Sequence, residues 1–95
     1  MDINEPITEV MFRKFHGEIT ALFPYEIEDR KGSVMSYAHV GQHSGADLRI
    51  IYDSKPATEA EYFDLMIELT NIGYNLKVIK KVNYNRYNEA RKRVK

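Results

Sequence analysis

The sequence predicts an α+β fold, in which an antiparallel sheet of about four strands carries one main helix on one face, in the order β-β-β-α-β. Two observations predict it. Three stretches before residue 41 are rich in β-branched and aromatic residues and are separated by glycine-containing breaks. Residues 58–72 begin with a capping box and continue with apolar residues at spacings of three and four. Each layer then has one apolar face, and packing the two together buries both.

Size and composition narrow the class of protein. The 95 residues predict a single domain, 1–95, with a mobile lead-in at 1–8 and a basic tail at 83–95. The hydrophobic content of 43% is enough for a core and argues against global disorder. The absence of cysteine excludes disulfides and thiolate sites and predicts a reducing, cytoplasmic location. No apolar run approaches the roughly 20 residues that span a bilayer, so we expect no membrane insertion.

The first two predicted strands form a hairpin. Residues 9–15 and 18–23 are strand-like, and His16-Gly17 between them suits a tight turn. Pro24 lacks an N–H, so we expect it to end the second strand. Charged residues at 26–31 predict a solvated loop before the third strand.

The third predicted strand, 34–40, alternates in polarity and places Tyr37 and His39 on one face. We expect Gly41 and Gly45 to break it and to frame a loop. Residues 46–53 suit either a short strand or a helical turn, and we favour a single helical turn.

The main helix is the clearest local prediction. Thr58 and Glu61 form a capping box, which predicts a helix over 59–72 that ends at Gly73. A fourth strand is predicted over 76–82, and no strong cap makes the basic tail helical. The predicted core stripe of the helix, widened by its last two members, is Tyr62, Leu65, Met66, Leu69, Ile72, Phe63 and Ile67.

Charge is distributed unevenly along a chain whose formal net charge is zero. Residues 1–76 contain six Lys or Arg and thirteen Asp or Glu, whereas residues 77–95 contain eight basic residues and one acidic residue. Three alternatives follow: an anionic partner at the basic end, a homo-oligomer formed between opposite patches, or a tail that lies on its own acidic body.

Several short motifs resemble a known family. They are Phe12-Arg13-Lys14-Phe15, Ala21-Leu22-Phe23-Pro24, Lys55-Pro56-Ala57-Thr58, Glu61-Tyr62, Ile72-Gly73-Tyr74 and the pattern Ser36-Tyr37-Ala38-His39-Val40-Gly41-Gln42-His43. Over residues 12–80 the chain resembles a family of small uncharacterised phage and mobile-element proteins. The resemblance implies a phage or mobile-element protein that acts in the cytoplasm of a bacterial host, a setting in which small non-enzymatic proteins that bind host or defence components are common. We therefore expect a non-enzymatic protein that binds a bacterial protein or a small anionic ligand and can act against host defence. The basic tail lies outside the resemblance.

The polar stretch around the third strand is the first candidate site. Backbone amides of the loop and its polar side chains suit a nest for a small anionic ligand or a partner protein, and no cofactor is expected. A self-bonded structural turn is the plain alternative. The candidate ligand- or partner-binding residues are Tyr37, His39, Gln42, His43, Ser44 and Asp47.

Two alternatives use other chemistry. The tail interleaves aromatic and basic side chains, which is typical of nucleic-acid binding. A metal-dependent enzyme would use His39, His43 and Asp47, although their spacing crosses a glycine-broken strand. The sequence contains no Walker loop and no Gly-x-Ser-x-Gly motif. The candidate nucleic-acid residues are Lys80, Lys81, Tyr84, Arg86, Tyr87, Arg91, Lys92 and Arg93.

Overall fold

The computed structural model describes residues 6–38 and 42–94, apart from the side chains of residues 42–44. It confirms the α+β fold. The elements in chain order are β1 (Thr8–Phe15), β2 (Glu18–Ile27), β3 (Val34–Ala38), β4 (Gln42–Ala46), a 3₁₀ turn (Leu48–Asp53), β5 (Lys55–Pro56), α1 (Glu59–Ile72), β6 (Leu76–Val78) and α2 (Tyr84–Lys92). Residues 1–5 of the predicted lead-in lie outside the described residues, and β1 begins within it at Thr8.

The strands form one sheet in the order β4-β3-β2-β1-β5. All the pairs along this path are antiparallel, and β6 pairs in parallel with the first part of β1. The chain after α1 therefore returns to an available edge of the sheet, as predicted. The sheet has two short strands more than the predicted four, β4 and β5.

The first hairpin is confirmed. Phe15 pairs with Glu18, and the two residues between them have positive φ, 50° at His16 and 79° at Gly17. Positive φ at both central residues gives a turn whose twist matches that of the flanking strands.

The expectation that Pro24 ends β2 is wrong, because β2 continues to Ile27. The register with β3 shifts between Phe23 and Ile27, so Pro24 lies at an irregularity. At a bulge the ladder does not need the missing N–H, which is how a strand interior tolerates proline.

The expectation of a loop over 41–45 is also wrong from Gln42 onwards, where β4 pairs with β3. Ser36 pairs with Ser44 and Met35 with Gly45. Gly45 is not required by space, because a Cβ built on it would lie 3.8 Å from the side chains of Glu28 and Ser33, which is ordinary contact. Pairing with an exposed strand edge therefore outweighs the low strand propensity of serine and glycine.

The main helix has its predicted bounds and its capping box. The Glu61 N–H donates to Thr58 Oγ1 over 3.2 Å, and the Thr58 N–H donates to Glu61 Oε1 over 3.0 Å. Gly73 ends it with φ 125°. Leu65 and Leu69 are fully buried, but the predicted core stripe is too wide. Its three exposed members are Phe63, Ile67 and Ile72.

The last strand is shorter than the predicted 76–82, since β6 ends at Val78 and the Ile79 N–H makes one further bond to Val10 O. The single helical turn predicted within 46–53 is confirmed as the 3₁₀ turn. It is tied to β1 by Arg13, whose guanidinium donates to Ile51 O and Ser54 O over 2.9 and 2.7 Å.

Both faces of the sheet are covered. The sequence predicted a covering helix on one face only. Met35 and Tyr37 alternate along β3 with Val34 and Ser36, so the two pairs point to opposite faces. Tyr37 belongs to the larger cluster, under α1, whereas Val34 packs with Leu48 and Tyr87 of the 3₁₀ turn and α2. The basic tail is thus largely a second covering helix.

A local cap starts α2, although the sequence suggested no strong one. The Asn83 side chain accepts from the N–H groups of Asn85 and Arg86. None of the helices in the described part of the chain is long and apolar enough to cross a membrane.

Candidate binding site

A cleft of about 300 Å³ opens where three segments meet on the α2 side of the sheet. The segments are the β2–β3 turn, the 3₁₀ turn and α2. Its lining combines aromatic rings with charged side chains: Lys31, Asp47, Leu48, Arg49, Tyr52, Tyr84, Tyr87 and Arg91.

The position of α2 is fixed at both sides of its first turn. The Tyr87 hydroxyl donates to Gly32 O over 2.6 Å in a buried bond, and the Asn83 N–H donates to the Tyr25 hydroxyl over 2.8 Å. Arg86 pairs with Glu9 at 2.5 Å and lies over the Tyr25 ring at 4.1 Å. These contacts set the rotation of α2, because they hold two different sides of it.

That rotation leaves one side of α2 facing the cleft and its surroundings. Tyr84, Asn88, Arg91 and Lys92 follow at intervals of four, three and one, so they share a side of the helix. Tyr84 and Arg91 line the cleft itself, and Arg91 lies 5.8 Å from the Tyr87 ring centre.

The β2–β3 turn is shaped to let α2 approach. Asp29 accepts from the N–H groups of Lys31 and Ser33, and the Ser33 bond in particular lowers the pKa of the Asp29 carboxyl. Gly32 has φ 89°, and a Cβ there would lie 2.7 Å from Arg91 Nε and closer still to the Tyr87 hydroxyl. Only glycine fits this turn, and the turn places Lys31 at the cleft.

Asp47 begins the 3₁₀ turn and is neutralised locally. Its carboxylate accepts from the Arg49 N–H over 2.9 Å and from Arg49 Nη2 over 2.7 Å. The side-chain bonds from Arg49, with the backbone bond, lower the pKa of Asp47 to about 2. The carboxylate is therefore ionised but paired throughout the neutral range.

Two tyrosine rings stand exposed at the mouth of the cleft. Tyr52 is 77% exposed and Tyr84 is 47% exposed, and their hydroxyl oxygens lie 3.5 Å apart. The hydrogen bond with Tyr52 raises the pKa of Tyr84, so its phenol stays neutral at physiological pH. Tyr84 meets the buried Tyr87 edge to face with ring centres 6.4 Å apart, which supports its ring from behind.

The chemistry of the cleft favours an anion that carries a planar ring. Lys31, Arg49 and Arg91 contribute three positive charges, and Asp47 contributes one negative charge that Arg49 already pairs. The exposed tyrosines offer flat apolar surface for stacking. A polar ligand without a ring would leave that surface unused.

A second hollow, of about 260 Å³, lies at the outer edge of β1 between β5 and β6. It contains Arg13 and the start of α1. The Arg13 guanidinium is already bonded to Ser54 and to Ile51 O, so it is occupied in holding the 3₁₀ turn. The Arg13 side chain is therefore less available to bind a ligand in this hollow than the basic side chains that line the cleft.

The structure separates the residues of the first predicted site. Tyr37 is 1% exposed and its hydroxyl donates to Glu68 of α1, so its ring lies in the core under α1. Asp47 lies at the cleft, on the opposite side of the sheet, which the 3₁₀ turn and α2 cover. Gln42, His43 and Ser44 belong to β4, and their side chains lie outside the described residues, as does all of His39.

The residues predicted for nucleic-acid binding fall into three groups. Tyr84 and Arg91 line the cleft, and Lys92 is exposed beside it. Tyr87 and Arg86 are committed to holding α2. The other three are exposed away from the cleft lining: Lys80, Lys81 and Arg93.

No group of three or more His, Asp or Glu side chains is arranged to hold a metal ion within the part of the chain that the structure describes. His39 and the His43 side chain lie outside that part. The metal-dependent alternative at His39, His43 and Asp47 therefore stays a prediction.

Sequence reasoning did not single out Lys31, Arg49 or Tyr52. The sequence predicts Lys31 only as part of a solvated loop, and the other two only as part of a helical turn. Their one local signal is the Asp47-x-Arg49 spacing, which suits a capped turn with a side-chain pair.

No protein-family model, curated protein or solved structure matches the chain. The resemblance to phage and mobile-element proteins accordingly stays a prediction.

Proposed function

We propose that this chain is a non-enzymatic binding protein whose ligand is a small anion with a planar ring, of the chemical class of a nucleoside monophosphate. The observation that carries the proposal is the pairing of two exposed tyrosine rings with Lys31 and Arg91 in one cleft. The cysteine-free sequence and the phage-type resemblance predict a protein of the bacterial cytoplasm. Such anions are abundant there.

In this proposal the two halves of the ligand bind to different groups. The ring lies against Tyr52, the more exposed of the two tyrosines, and the phosphate meets Lys31 and Arg91. Stacking on one ring and a solvated ion pair together contribute roughly 4 kcal/mol, which corresponds to a Kd of about 1 mM. A weak site of this kind suits a sensor of an abundant metabolite or one unit of a larger ligand.

The test is a titration of the ¹⁵N-labelled protein with AMP, followed by NMR chemical shifts. We expect shifts at the cleft and a Kd in the range of about 1 mM. Adenosine, which lacks the phosphate, forfeits roughly 1 kcal/mol of ion pairing and is expected to bind about fivefold more weakly. Inorganic phosphate, which lacks the ring, forfeits the larger stacking contribution of roughly 3 kcal/mol and is expected to bind on the order of a hundredfold more weakly.

Tyr52→Ala is the main variant, because Tyr52 is highly exposed and its loss leaves the core intact. It is expected to weaken AMP binding about fivefold or more. Phe63→Ala is the matched control, since Phe63 is a 53% exposed aromatic residue on α1, over the other face of the sheet. Equal affinity of the wild type and Tyr52→Ala, or shifts confined to the hollow between β5 and β6, would contradict the proposal.

A further inference from the structure

We infer that the physiological ligand of the cleft is single-stranded nucleic acid, bound along a track that continues from the cleft over the β2–β3 turn and the end of α2. The inference rests on the proposed function, because it takes the cleft as the place where one base stacks. Beyond the single nucleotide, it specifies a polymeric ligand, the direction in which the strand leaves the cleft, and further basic residues that contact it.

The cleft is the middle of three depressions that follow one another. On one side lies a shallow depression lined by Arg30, Asn88, Arg91 and Lys92, which shares Arg91 with the cleft. On the other side, a depression formed by the 3₁₀ turn shares Asp47 and Arg49 with it. The shared lining residues show that each of these depressions adjoins the cleft, so a ligand longer than one nucleotide can extend beyond it.

Charge gives the track its direction. The depression on the α2 side is lined by three basic side chains and one amide, without a carboxylate. The depression on the other side contains Asp47 and Asp53 beside Arg49. Phosphates that leave the cleft are therefore drawn towards Arg30 and Lys92.

The tyrosines favour a single strand over a duplex. Bases stacked inside a duplex present only their edges, whereas a single strand can lay its bases on aromatic rings. Tyr52 and Tyr84 are exposed side by side, which is room for about two successive bases. Positive charge beside exposed rings is the combination that non-sequence-specific single-strand binding uses.

The test measures Kd by fluorescence anisotropy and calorimetry for AMP and for single-stranded oligonucleotides of two, four and eight nucleotides. We expect affinity to rise about fivefold or more with the second stacked base, and to level off once the track is filled. With four phosphates neutralised, the slope of log K against log salt is expected to be about −3 for the eight-nucleotide strand. The matching duplex is expected to bind at least about tenfold more weakly.

Two double variants separate the polymer from the mononucleotide. Arg30→Gln with Lys92→Gln removes two charges of the track outside the cleft lining. It is expected to make the salt slope shallower by about 1.4 while AMP binding stays unchanged. Lys55→Gln with Lys77→Gln is the matched control, because both lysines are exposed on the short strands that pair with β1. This control is expected to leave the slope unchanged.

Each result decides one of the two proposals or both. AMP binding with the same affinity for every length overturns the polymer and leaves the proposed function standing. Absence of binding by AMP and by every oligonucleotide overturns both. Binding of an acidic, tyrosine-containing peptide polymer at the cleft in preference to the eight-nucleotide strand overturns the nucleic acid in favour of a protein partner.

Discussion

The two faces of the sheet are held by different kinds of contact. Under α1, a continuous apolar cluster joins three strands to the helix, and Phe12 stacks on Tyr62 with ring centres 4.4 Å apart. On the opposite face the buried apolar cluster is smaller, and named polar contacts such as Tyr87 to Gly32 and Arg13 to the 3₁₀ turn position the cover. The first face contains the larger buried apolar cluster, and the cover of the second face carries most of the side chains that line the cleft.

This difference teaches where function can reside in so small a domain. A 95-residue chain has a limited core, so one face must supply most of the hydrophobic stabilisation. The other face is then free to expose rings and charges that would be costly in a packed core. Substitutions placed on one face at a time test this division.

Leu65→Ala removes a buried side chain from the larger apolar cluster, under α1. Leu65 is fully buried against the sheet, and the variant is expected to lower the free energy of unfolding by about 3–5 kcal/mol. Leu48→Ala makes the same change in the smaller cluster, at the edge of the cleft, and is expected to cost about 2 kcal/mol. Urea unfolding followed by circular dichroism measures both. Equal losses would show that the two faces share stability evenly and would break the comparison.

Gly32→Ala should act on the second face alone. Its positive φ and the close approach of Tyr87 and Arg91 predict a loss of about 1–3 kcal/mol, together with displacement of α2. Hydrogen exchange is the measurement, with faster exchange expected in α2 and little change in α1. Gly17→Ala is the control, because Gly17 also has positive φ, 79°, but a Cβ there would meet no atom within 4 Å. Equal acceleration of exchange in both helices would contradict an independent second face.

The sequence predicted the first face far better than the second, and the reason is locality. The capping box of Thr58 and Glu61 and the three-and-four spacing of Leu65 and Leu69 lie within one segment. The hairpin turn at His16-Gly17 likewise depends on residues that are adjacent in sequence. Such features depend on neighbours along the chain, so one sequence is enough to predict them.

The second face depends on pairs that are distant in sequence. Tyr87 bonds to Gly32 across 55 positions and Arg13 to Ser54 across 41. β4 was missed for the same reason, since Ser44 and Gly45 become a strand only when β3 offers them an edge. The cleft is assembled from three segments, and the sequence indicated the charge and the rings of α2 but not their partners Lys31 and Tyr52.

The smallest expected effect is the dependence of stability on acidic pH, which tests the α1 face alone because Glu61 lies in the first turn of α1. Its hydrogen bond from Lys14, at 2.7 Å, and the Thr58 N–H lower the pKa of Glu61 from 4.5 to about 2. A lowered pKa in the folded state means that the ionised carboxylate stabilises the fold above pH 4.5. That contribution declines as the pH falls from 4.5 towards 2 and is absent below.

Glu61→Gln is therefore expected to be less stable than the wild type at pH 7 and to approach it as the pH falls from 4.5 towards 2. Urea unfolding at neutral pH and at two acidic values measures the difference. Glu59→Gln is the control, because Glu59 lies in the same first turn but outside the capping box, and its difference from the wild type should change less over that interval. Since Lys14 and Glu61 are partly exposed, the effect is small and should shrink further in high salt. A difference between the wild type and Glu61→Gln that stays constant with pH would mean that the charge of the carboxylate contributes nothing to the start of α1.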